Sequence, residues 1–177
     1  MKSEPGKNCP DPLDFDLIVD FPKMKVAVAT RAERVSEIRY LPLTARSKAP
    51  SSPLAERAAR QLERYRENPD ARFDLPLLIA GTPFQRRLWE ALCEIPCGKT
   101  VTYGELARRL GGCGAEMNRA VGQACGDNRL PIVIPCHRVV AADGIGGFAH
   151  ATGGYLVEAK RWLLMHEHSA GAFELVP

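Results

Sequence analysis

The sequence predicts a segment of strands and one helix followed by a mainly α-helical segment, with the change near Gly81. Before Gly81, short runs rich in β-branched and apolar residues flank a single amphipathic stretch, which is typical of a small α/β unit. After Gly81, amphipathic stretches with capping signals are separated by glycine turns, which indicates consecutive helices. A chain of 177 residues is long enough for one large or two small domains, and we predict two, 1–80 and 81–177.

Composition restricts the possible classes of protein. Hydrophobic residues make up 45% of the chain and charged residues 25%, as in ordinary globular proteins. No apolar run is long enough to span a bilayer, and residues 1–12 lack the apolar part of a secretory signal. We therefore expect a cytoplasmic protein, nuclear in a eukaryote, without a membrane partner. In a reducing compartment the six cysteines need not pair, and the lack of C-x-x-C spacing predicts no metal site. The net charge of +3 is too small to indicate nucleic acid by itself.

The first segment is predicted to contain three strands, at 25–29, 35–43 and 75–80. A helix separates the second strand from the third. It begins after Ser52, which can serve as its N-cap, and ends at Asn68-Pro69. The first segment is therefore a small sheet accompanied by one helix.

Capping signals mark two helices in the second segment. Thr82 and Gln85 have the spacing of a capping box, as do Thr102 and Glu105. In such a box each side chain hydrogen-bonds to the backbone of the other residue, which satisfies N–H groups at the start of a helix. The helix after Thr102 is predicted to stop at Gly111-Gly112.

A third helix is predicted from about Ala115 to Gly126. Its pattern places four side chains inward, those of Met117, Ala120, Val121 and Ala124. Three polar side chains point outward, those of Asn118, Arg119 and Gln123. Two helices joined by a glycine turn form the pattern of a helix-turn-helix, whose second helix would present the polar face to DNA. The same pattern also fits an ordinary packed helical hairpin.

The segment Ile134-Pro135-Cys136-His137-Arg138-Val139 carries the strongest chemical signal. A cysteine is often only a small buried apolar residue. Here an imidazole and a guanidinium follow it directly, and a neighbouring base or positive charge favours the reactive thiolate. Pro135 restricts its own backbone and that of Ile134, so Cys136 ends a rigid segment. We interpret Cys136 as a nucleophile.

Further short motifs lie between Gly81 and Glu167, which is roughly half of the chain. They are Gly81-Thr82-Pro83-Phe84-Gln85 with Trp89, Ile95-Pro96 with Gly98 and Thr100, Thr102-Tyr103 with Leu106-Ala107, Arg119-Ala120-Val121-Gly122, Asn128, and Lys160 through Glu167. Together with the cysteine segment they resemble the O6-alkylguanine-DNA alkyltransferase family. The resemblance implies a ribonuclease H-like N-terminal sheet with a helix, followed by a winged helix-turn-helix-like domain.

The resemblance also implies a reaction. Cys136 would take an alkyl group from guanine O6 in double-stranded DNA, in an in-line displacement that needs no cofactor. The thioether product offers no carbonyl to water, so each chain would act once. By the same resemblance His137 deprotonates the thiol through a water, Glu167 orients His137, and Asn128 braces the site. If Glu167 and His137 together lower the thiol pKa, the rate of alkylation should rise with pH through an apparent pKa below about 8.5, the value of a free cysteine, and this apparent pKa would belong to the coupled groups.

A base inside a duplex must be extruded before a thiol can reach its O6 group. The resemblance implies that Arg119 fills the gap in the base stack and that Tyr103 helps to rotate the phosphate and contacts the base. Ala120, Gly122 and Gln123 belong to the same DNA-contacting helix, which the family inserts in the minor groove. The alkylguanine pocket is expected to comprise Pro131, Pro135, Val139, Phe148, Thr152 and Gly153. We expect the protein to be a monomer.

The sequence departs from the pattern of the family at three places. Arg129 stands where many members have proline, and it would either contact a phosphate or loosen the turn. The loop 144–154 is longer than the common form. Within it, Phe148 lacks the hydroxyl that members often place near guanine O6, and His150 or Thr152 would have to replace it. The zinc ligands of some members' N-terminal domains have no counterparts here, so we predict no metal.

Three other functions stay open from the residues alone. A non-catalytic damage-sensing relative would lack the thiol, so Cys136 argues against it. A helix-turn-helix regulator of transcription would leave the combination of Cys136, His137 and Glu167 unexplained. That combination is significant only with the resemblance, because by themselves His137 could be an ordinary hydrogen-bonded histidine and Glu167 a solvated carboxylate. A cysteine hydrolase would need an oxyanion hole, for which the sequence shows no signature.

Overall fold

The computed structural model describes residues 14–168. In chain order its strands and helices are β1 (Leu17–Asp20), β2 (Lys25–Arg31), β3 (Arg34–Leu41), α1 (Pro53–Glu67), α2 (Pro83–Cys93), β4 (Val101–Thr102), α3 (Tyr103–Arg109), α4 (Gly114–Gly126), β5 (Val139–Val140) and α5 (Tyr155–His168). A 3₁₀ turn at Cys136–Arg138 leads directly into β5. Between residues 14 and 168, no helix is long and apolar enough to cross a membrane.

The strands β1, β2 and β3 form an antiparallel sheet in that order. Alternate residues of a strand point to opposite faces, and both faces of this sheet are covered. Val26 and Val28 pack in the main hydrophobic cluster with Leu62 of α1, whereas Ala27 packs in a small cluster with Phe15. The helix α1 therefore covers one face of the sheet.

The predicted helix and two of the predicted strands of this segment are confirmed. The Ser52 side chain caps α1 by accepting a hydrogen bond from the Ala55 N–H at 3.1 Å. The third predicted strand, 75–80, is wrong, because Leu77 makes only an isolated parallel bridge with Val35. Pro76 has no N–H to donate, so a ladder does not continue through it. The sequence missed β1 because four residues are too few to show an alternating pattern.

Both predicted capping boxes are confirmed, at the starts of α2 and α3. The Thr102 hydroxyl accepts from the Glu105 N–H at 3.1 Å, and the Thr102 N–H donates to Glu105 Oε2 at 2.7 Å. The chain leaves α3 through Gly111, whose φ of 86° lies in the left-handed region that favours glycine. Because β4 pairs in parallel with β5, the start of α3 lies beside the segment that follows Cys136.

The helix α4 begins one residue before the predicted position and faces the core with Val121, Ala124 and Cys125. The pattern predicts Ala120 inward, but Ala120 is exposed, because it lies about 100° around the helix from Val121. The pattern also predicts Asn118 outward, but Asn118 is half-buried. The buried stripe of α4 is thus narrower than the sequence indicates.

The main hydrophobic cluster is continuous across the two segments of the chain. It contains Tyr65 of α1, Leu88 of α2 and Leu163 of α5. The rings of Phe21 and Trp162 also meet edge to face, with centroids 5.7 Å apart. The helix α5 therefore packs against the N-terminal segment as well as against its own.

The turn between β2 and β3 contains two strained residues. Ala32 and Glu33 have φ values of 50° and 57°, in a region that costs a residue with a Cβ atom about 1–2 kcal/mol. Two-residue hairpin turns of this kind favour Asn-Gly. The double change Ala32→Asn and Glu33→Gly should therefore raise the free energy of unfolding by about 1 kcal/mol, measured by urea denaturation. Glu33→Ala, which keeps the Cβ atom, should give no gain, and a double variant no more stable than the original would contradict this account of the turn.

Candidate active site around Cys136

Cys136 is held by a tight turn of the backbone. Pro135 has φ −83° and ψ 66°, close to the values of an inverse γ-turn, and the Cys136 N–H donates to the Ile134 carbonyl at 2.8 Å. The proline ring favours such a φ, so the sequence supports this turn. Cys136 is 6% exposed and lines a cavity of about 730 Å³. The thiol is therefore fixed in the wall of a cavity.

His137 and Glu167 form a buried pair next to Cys136. His137 Nε2 lies 2.7 Å from Glu167 Oε1, and the two side chains are 0% and 2% exposed. His137 Nδ1 is also buried, and it has no hydrogen-bond partner within residues 14–168. Glu167 lies near the end of α5, so the packing of α5 against the 3₁₀ turn brings together two residues that are 30 positions apart.

Glu167 accepts hydrogen bonds from two further side chains. Arg138 donates from Nε to Oε2 at 2.8 Å and from Nη2 to Oε1 at 2.9 Å, and the Tyr65 hydroxyl donates to Oε1 at 2.8 Å. Burial alone would raise the pKa of Glu167, but His137 and Arg138 outweigh it and hold that pKa well below its usual range. Burial and the Glu167 charge raise the pKa of Tyr65. Glu167 is therefore an ionised acceptor, and Tyr65 is a neutral donor.

Sequence reasoning missed Tyr65 and Arg138 as partners of Glu167. Arg138 was interpretable only as a positive charge beside the thiol. Tyr65 belongs to the apolar stripe of α1, and no local signal shows that its hydroxyl reaches a carboxylate 102 residues away. These donors depend on how α1 and the 3₁₀ turn pack against α5.

Burial is the main influence on the pKa of the Cys136 thiol. Burial raises its pKa above the ordinary value, and the hydrogen bond from Asn128 and the charge of Lys160 only partly oppose this. Burial therefore favours the neutral form of the resting thiol, and the apparent pKa of the reaction, which belongs to the coupled groups, stays a prediction. Asn128 also donates to the Ile134 carbonyl at 2.8 Å and accepts from the Leu130 N–H at 2.9 Å, so it holds the loop that leads to Cys136.

Lys160 is a buried cation close to the cavity. It is 0% exposed, and its Nζ donates to the carbonyls of Val139 at 2.7 Å and Gly147 at 2.9 Å. Burial lowers its pKa to about 8. Lys160 therefore ties β5 to the loop 144–154. The motifs single out Lys160, but its burial is invisible in the sequence because lysine is usually exposed.

The helix α4 forms one side of the cavity. Arg119, Gly122 and Asn118 line it, and Arg119 is exposed to solvent. The Oδ1 atom of Asn118 is buried without a partner among the described residues, a feature that the sequence does not signal. Ala120 and Gln123 are exposed on α4 and lie outside the lining of this cavity.

The start of α3 and the loop 144–154 form the other walls. Tyr103, Phe148, His150 and Thr152 line the cavity. Burial raises the pKa of Tyr103 to about 12, so its hydroxyl is a neutral donor, 3.4 Å from the Gly147 carbonyl. Phe148 is buried, whereas His150 and Thr152 are exposed.

The other residues expected in the pocket lie elsewhere. Pro131 lines a neighbouring cavity of about 350 Å³, which Cys136 also lines. Pro135 lines a cavity of about 640 Å³ next to the end of α1. Val139 is fully buried, and Gly153 is exposed in the turn before α5.

Arg129 links the second segment to the N-terminal sheet. Its Nη2 lies 2.7 Å from Glu37 Oε2, and its carbonyl accepts from the Ile38 N–H at 2.8 Å. Both contacts are with β3. The Arg129 side chain is 64% exposed, so the ion pair itself contributes little stability.

The arrangement suits transfer of a group to sulfur. A fixed thiol in a cavity wall lies beside an imidazole that is oriented by a buried carboxylate, which is the combination that activates a nucleophile. Between residues 14 and 168, no three His, Cys, Asp or Glu side chains are grouped so that they could hold a metal ion.

The sequence matches known proteins over the same region. A profile of the 6-O-methylguanine DNA methyltransferase DNA-binding domain matches residues 83–169. A methylated-DNA–protein-cysteine methyltransferase of Shigella flexneri is 51% identical over 94 residues, which cover 52% of this chain and 51% of that protein. The chain therefore spans about half the length of this and similar curated relatives.

Solved structures are similar over most of the chain. The crystal structure of Mycobacterium tuberculosis O6-methylguanine methyltransferase gives a TM-score of 0.72 at 35% identity, covering 89% of this chain and 94% of that one. The structure of Mycobacterium tuberculosis OGT in complex with DNA gives a TM-score of 0.68 at 36% identity, covering 86% and 91%. The small antiparallel sheet and the helices around it follow this shared fold. The chain belongs to the 6-O-methylguanine DNA methyltransferase family.

Proposed function

We propose that this protein repairs O6-alkylguanine in double-stranded DNA by transferring the alkyl group irreversibly to Cys136. The observation that carries the proposal is that Cys136 and Arg119 line one cavity, with the buried His137–Glu167 pair beside the thiol. Family membership and the DNA complex of the Mycobacterium tuberculosis relative support it. Because a thioether is not hydrolysed as an acyl-enzyme is, each chain would serve one lesion.

The finer architecture follows from the same proposal. The segment 1–80 would be a ribonuclease H-like sheet with its helix, and 81–177 a winged helix-turn-helix-like domain. The two helices joined at Gly111-Gly112, α3 and α4, would be the helix-turn-helix pair. The protein would act as a monomer in the cytoplasm, or in the nucleus of a eukaryote. No cofactor is needed, because the alkyl group passes directly to sulfur.

The ionised Glu167 beside His137 determines which ring nitrogen would accept the proton of Cys136. Because Glu167 is ionised and can only accept, a neutral His137 carries its hydrogen on Nε2 and keeps the lone pair on Nδ1. Nδ1 is a buried polar atom without a partner in the described part of the chain, which suits a bridging water. His137 would take the proton of Cys136 through this water, and Glu167 would stabilise the resulting imidazolium.

The thiolate would then attack the alkyl carbon in line with its bond to guanine O6. The S–C bond forms as the C–O bond breaks, and the electron pair of the C–O bond returns to guanine. Protonation of the released guanine balances the proton that His137 has taken. Tyr103 is a neutral donor in the cavity wall and would contact the extruded base. Asn128 would hold the Cys136 segment in place during the displacement.

Extrusion of the base is assigned to α4. Arg119 is exposed and lines the cavity, which suits a side chain that fills the gap left by a flipped base. Ala120 and Gln123 would contact DNA from the exposed face of α4. Gly122, which has no side chain, would let the DNA approach this helix closely. A helix in the minor groove reads sequence poorly, which suits a protein that must find lesions in any sequence.

The stoichiometry of transfer tests the proposed function. Excess duplex containing O6-methylguanine should add one methyl group per chain, on the peptide with Cys136 and without turnover, because the thioether is stable. Intact and peptide masses measure this. Cys136→Ala should abolish transfer but keep DNA binding, whereas Cys113→Ser, at an exposed thiol, should transfer normally. A methyl group on Cys125, which also lines the cavity, or repeated turnover would contradict the proposal.

Extrusion can be separated from the chemical step. Arg119→Ala should slow repair of duplex DNA by at least about tenfold, because the flipped state loses its wedge, and should change the reaction with free O6-benzylguanine much less. Single-hit rate constants on both substrates measure the difference. Arg161→Ala, an exposed arginine on α5, serves as the control and should slow neither reaction. An equal loss on both substrates in Arg119→Ala would show that Arg119 acts through folding or through the thiol.

Glu167 makes stability depend on pH in a defined direction. Its pKa is depressed in the native state, so its stabilisation is present above the unfolded pKa of about 4.3 and is lost as pH falls below that value. Glu167→Gln should lower the free energy of unfolding by about 3 kcal/mol at pH 7 and by much less at acid pH, measured by urea denaturation.

The same variant tests the role of Glu167 in the reaction. Transfer from O6-benzylguanine should be slower in Glu167→Gln than in the original protein, and no slower than in His137→Gln, which removes the base itself. The control is Glu158→Gln, at an exposed carboxylate of α5, which should change neither stability nor rate. A stability loss in Glu167→Gln that is the same at neutral and acid pH would show that Glu167 is not ionised.

A further inference from the structure

The loop 144–154 contains a strained turn in the wall of the cavity. Phe148 and Ala151 exchange backbone hydrogen bonds of 2.8 Å in both directions. The two residues between them, Ala149 and His150, have φ values of 49° and 63°. Residues with a Cβ atom rarely adopt this region, so the turn is strained.

The base of the turn is anchored in the core. Phe148 is 5% exposed, and its ring centroid lies 5.3 Å from that of Tyr40 in β3. The preceding carbonyl, of Gly147, accepts a hydrogen bond from Lys160 at 2.9 Å. These contacts fix the start of the turn but leave its tip to be held by other groups.

The tip is held by His150. Its Nε2 lies 3.0 Å from Asp127 Oδ1, at the end of α4. Asp127 Oδ2 accepts from Gln85 Nε2 at 3.0 Å, and Gln85 Oε1 accepts from the Thr82 N–H at 2.9 Å. Asp127 therefore connects the tip of the turn to the start of α2 and the end of α4.

Gly126 provides the space in which the His150 ring lies. A Cβ atom at position 126 would stand 2.4 Å from His150 Cε1 and 2.6 Å from its Nδ1, closer than such atoms approach one another. A side chain at 126 would therefore displace the ring without removing either member of the hydrogen bond to Asp127.

The turn separates two cavities that both reach the thiol. Phe148 and Ala149 line the cavity of about 730 Å³ together with Tyr103, and also the cavity of about 350 Å³ together with Tyr40. Cys136 lines both cavities. The position of the turn therefore sets how much space is available beside the sulfur.

We propose that His150, held by Asp127 over Gly126, is a positioning residue that sets the width of the pocket at Cys136 and so favours small O6-alkyl groups over bulky ones. This inference rests on the proposed function, because it concerns the groups that Cys136 accepts. With the tip held, the pocket ends at Phe148 and Ala149. With the tip released, Ala149 can move while Phe148 stays anchored, so the two cavities connect past Ala149 and a ring-sized group gains room beside the sulfur.

The test compares two substrates that differ in the O6 group, methyl or benzyl, and follows the ratio of their rates between variants, in which the intrinsic reactivities of the two groups cancel. Single-hit rate constants are measured with duplexes containing O6-methylguanine or O6-benzylguanine, at equal sequence. In His150→Ala, Asp127→Asn and Gly126→Ala, the ratio of the benzyl to the methyl rate should rise at least about fivefold, because pockets discriminate by size. His150→Gln, which keeps a donor for Asp127, should restore a ratio near that of the original protein. Asp143→Asn, the same chemical change at an exposed residue of a neighbouring turn, should leave the ratio unchanged.

A second measurement follows the turn without any reaction. The Ala151 N–H, which is bonded to the Phe148 carbonyl, should exchange with solvent several-fold faster in the same three variants than in Asp143→Asn. Unchanged ratios, equal losses on both substrates, or unchanged exchange at Ala151 would each overturn the inference. If the original protein transfers neither group to Cys136, the proposed function fails, and the exchange measurement still decides whether His150 holds the turn.

Discussion

The site depends on keeping an ionised carboxylate, that of Glu167, away from water. A buried carboxylate is costly unless donors replace its hydration. Tyr65, His137 and Arg138 supply four hydrogen bonds to its two oxygens. These donors come from α1 and from the 3₁₀ turn, and Glu167 comes from α5. Glu167 therefore keeps its donors only while α1, the 3₁₀ turn and α5 are packed together. Separating any one of these three parts would leave a buried charge with too few partners.

Burial has opposite effects on the acids and bases of the site. It raises the pKa of Cys136 and lowers that of Lys160, because in both cases the charged form loses its hydration. A buried neutral thiol is a weak nucleophile at rest. Under the proposed function, reactivity thus depends on the His137–Glu167 pair accepting the proton when a substrate is present, and not on a thiol that is already ionised. This explains why the Glu167 carboxylate is fully hydrogen-bonded, whereas the Cys136 sulfur is buried and neutral.

Signals confined to one helical turn predicted local structure well. The N-cap at Ser52 and the capping boxes that begin at Thr82 and Thr102 depend on residues three positions apart, and the structure contains all three. The short motifs likewise led to Cys136 and its neighbours. The features that the sequence did not show are long-range ones. They include the Tyr65 hydroxyl on Glu167, the rotation of α4 that exposes Ala120 and half-buries Asn118, and the hold of Asp127 on His150. Each depends on which elements pack together, which no local pattern encodes.

The N-terminal segment shapes the site without entering the main cavity. Of the residues that the structure describes, those lining the cavity of about 730 Å³ all lie between 102 and 152. The N-terminal segment instead contacts residues that support the site and the cavity wall. The Tyr65 hydroxyl orients Glu167, the Tyr40 ring supports Phe148, and β3 pairs with the backbone and side chain of Arg129. Such support needs a hydroxyl, a ring and a strand edge at the right places, and many sequences can provide these. The short motifs of the family are accordingly confined to 81–167. The first segment has the shared fold but few of the residues by which the family resemblance was identified.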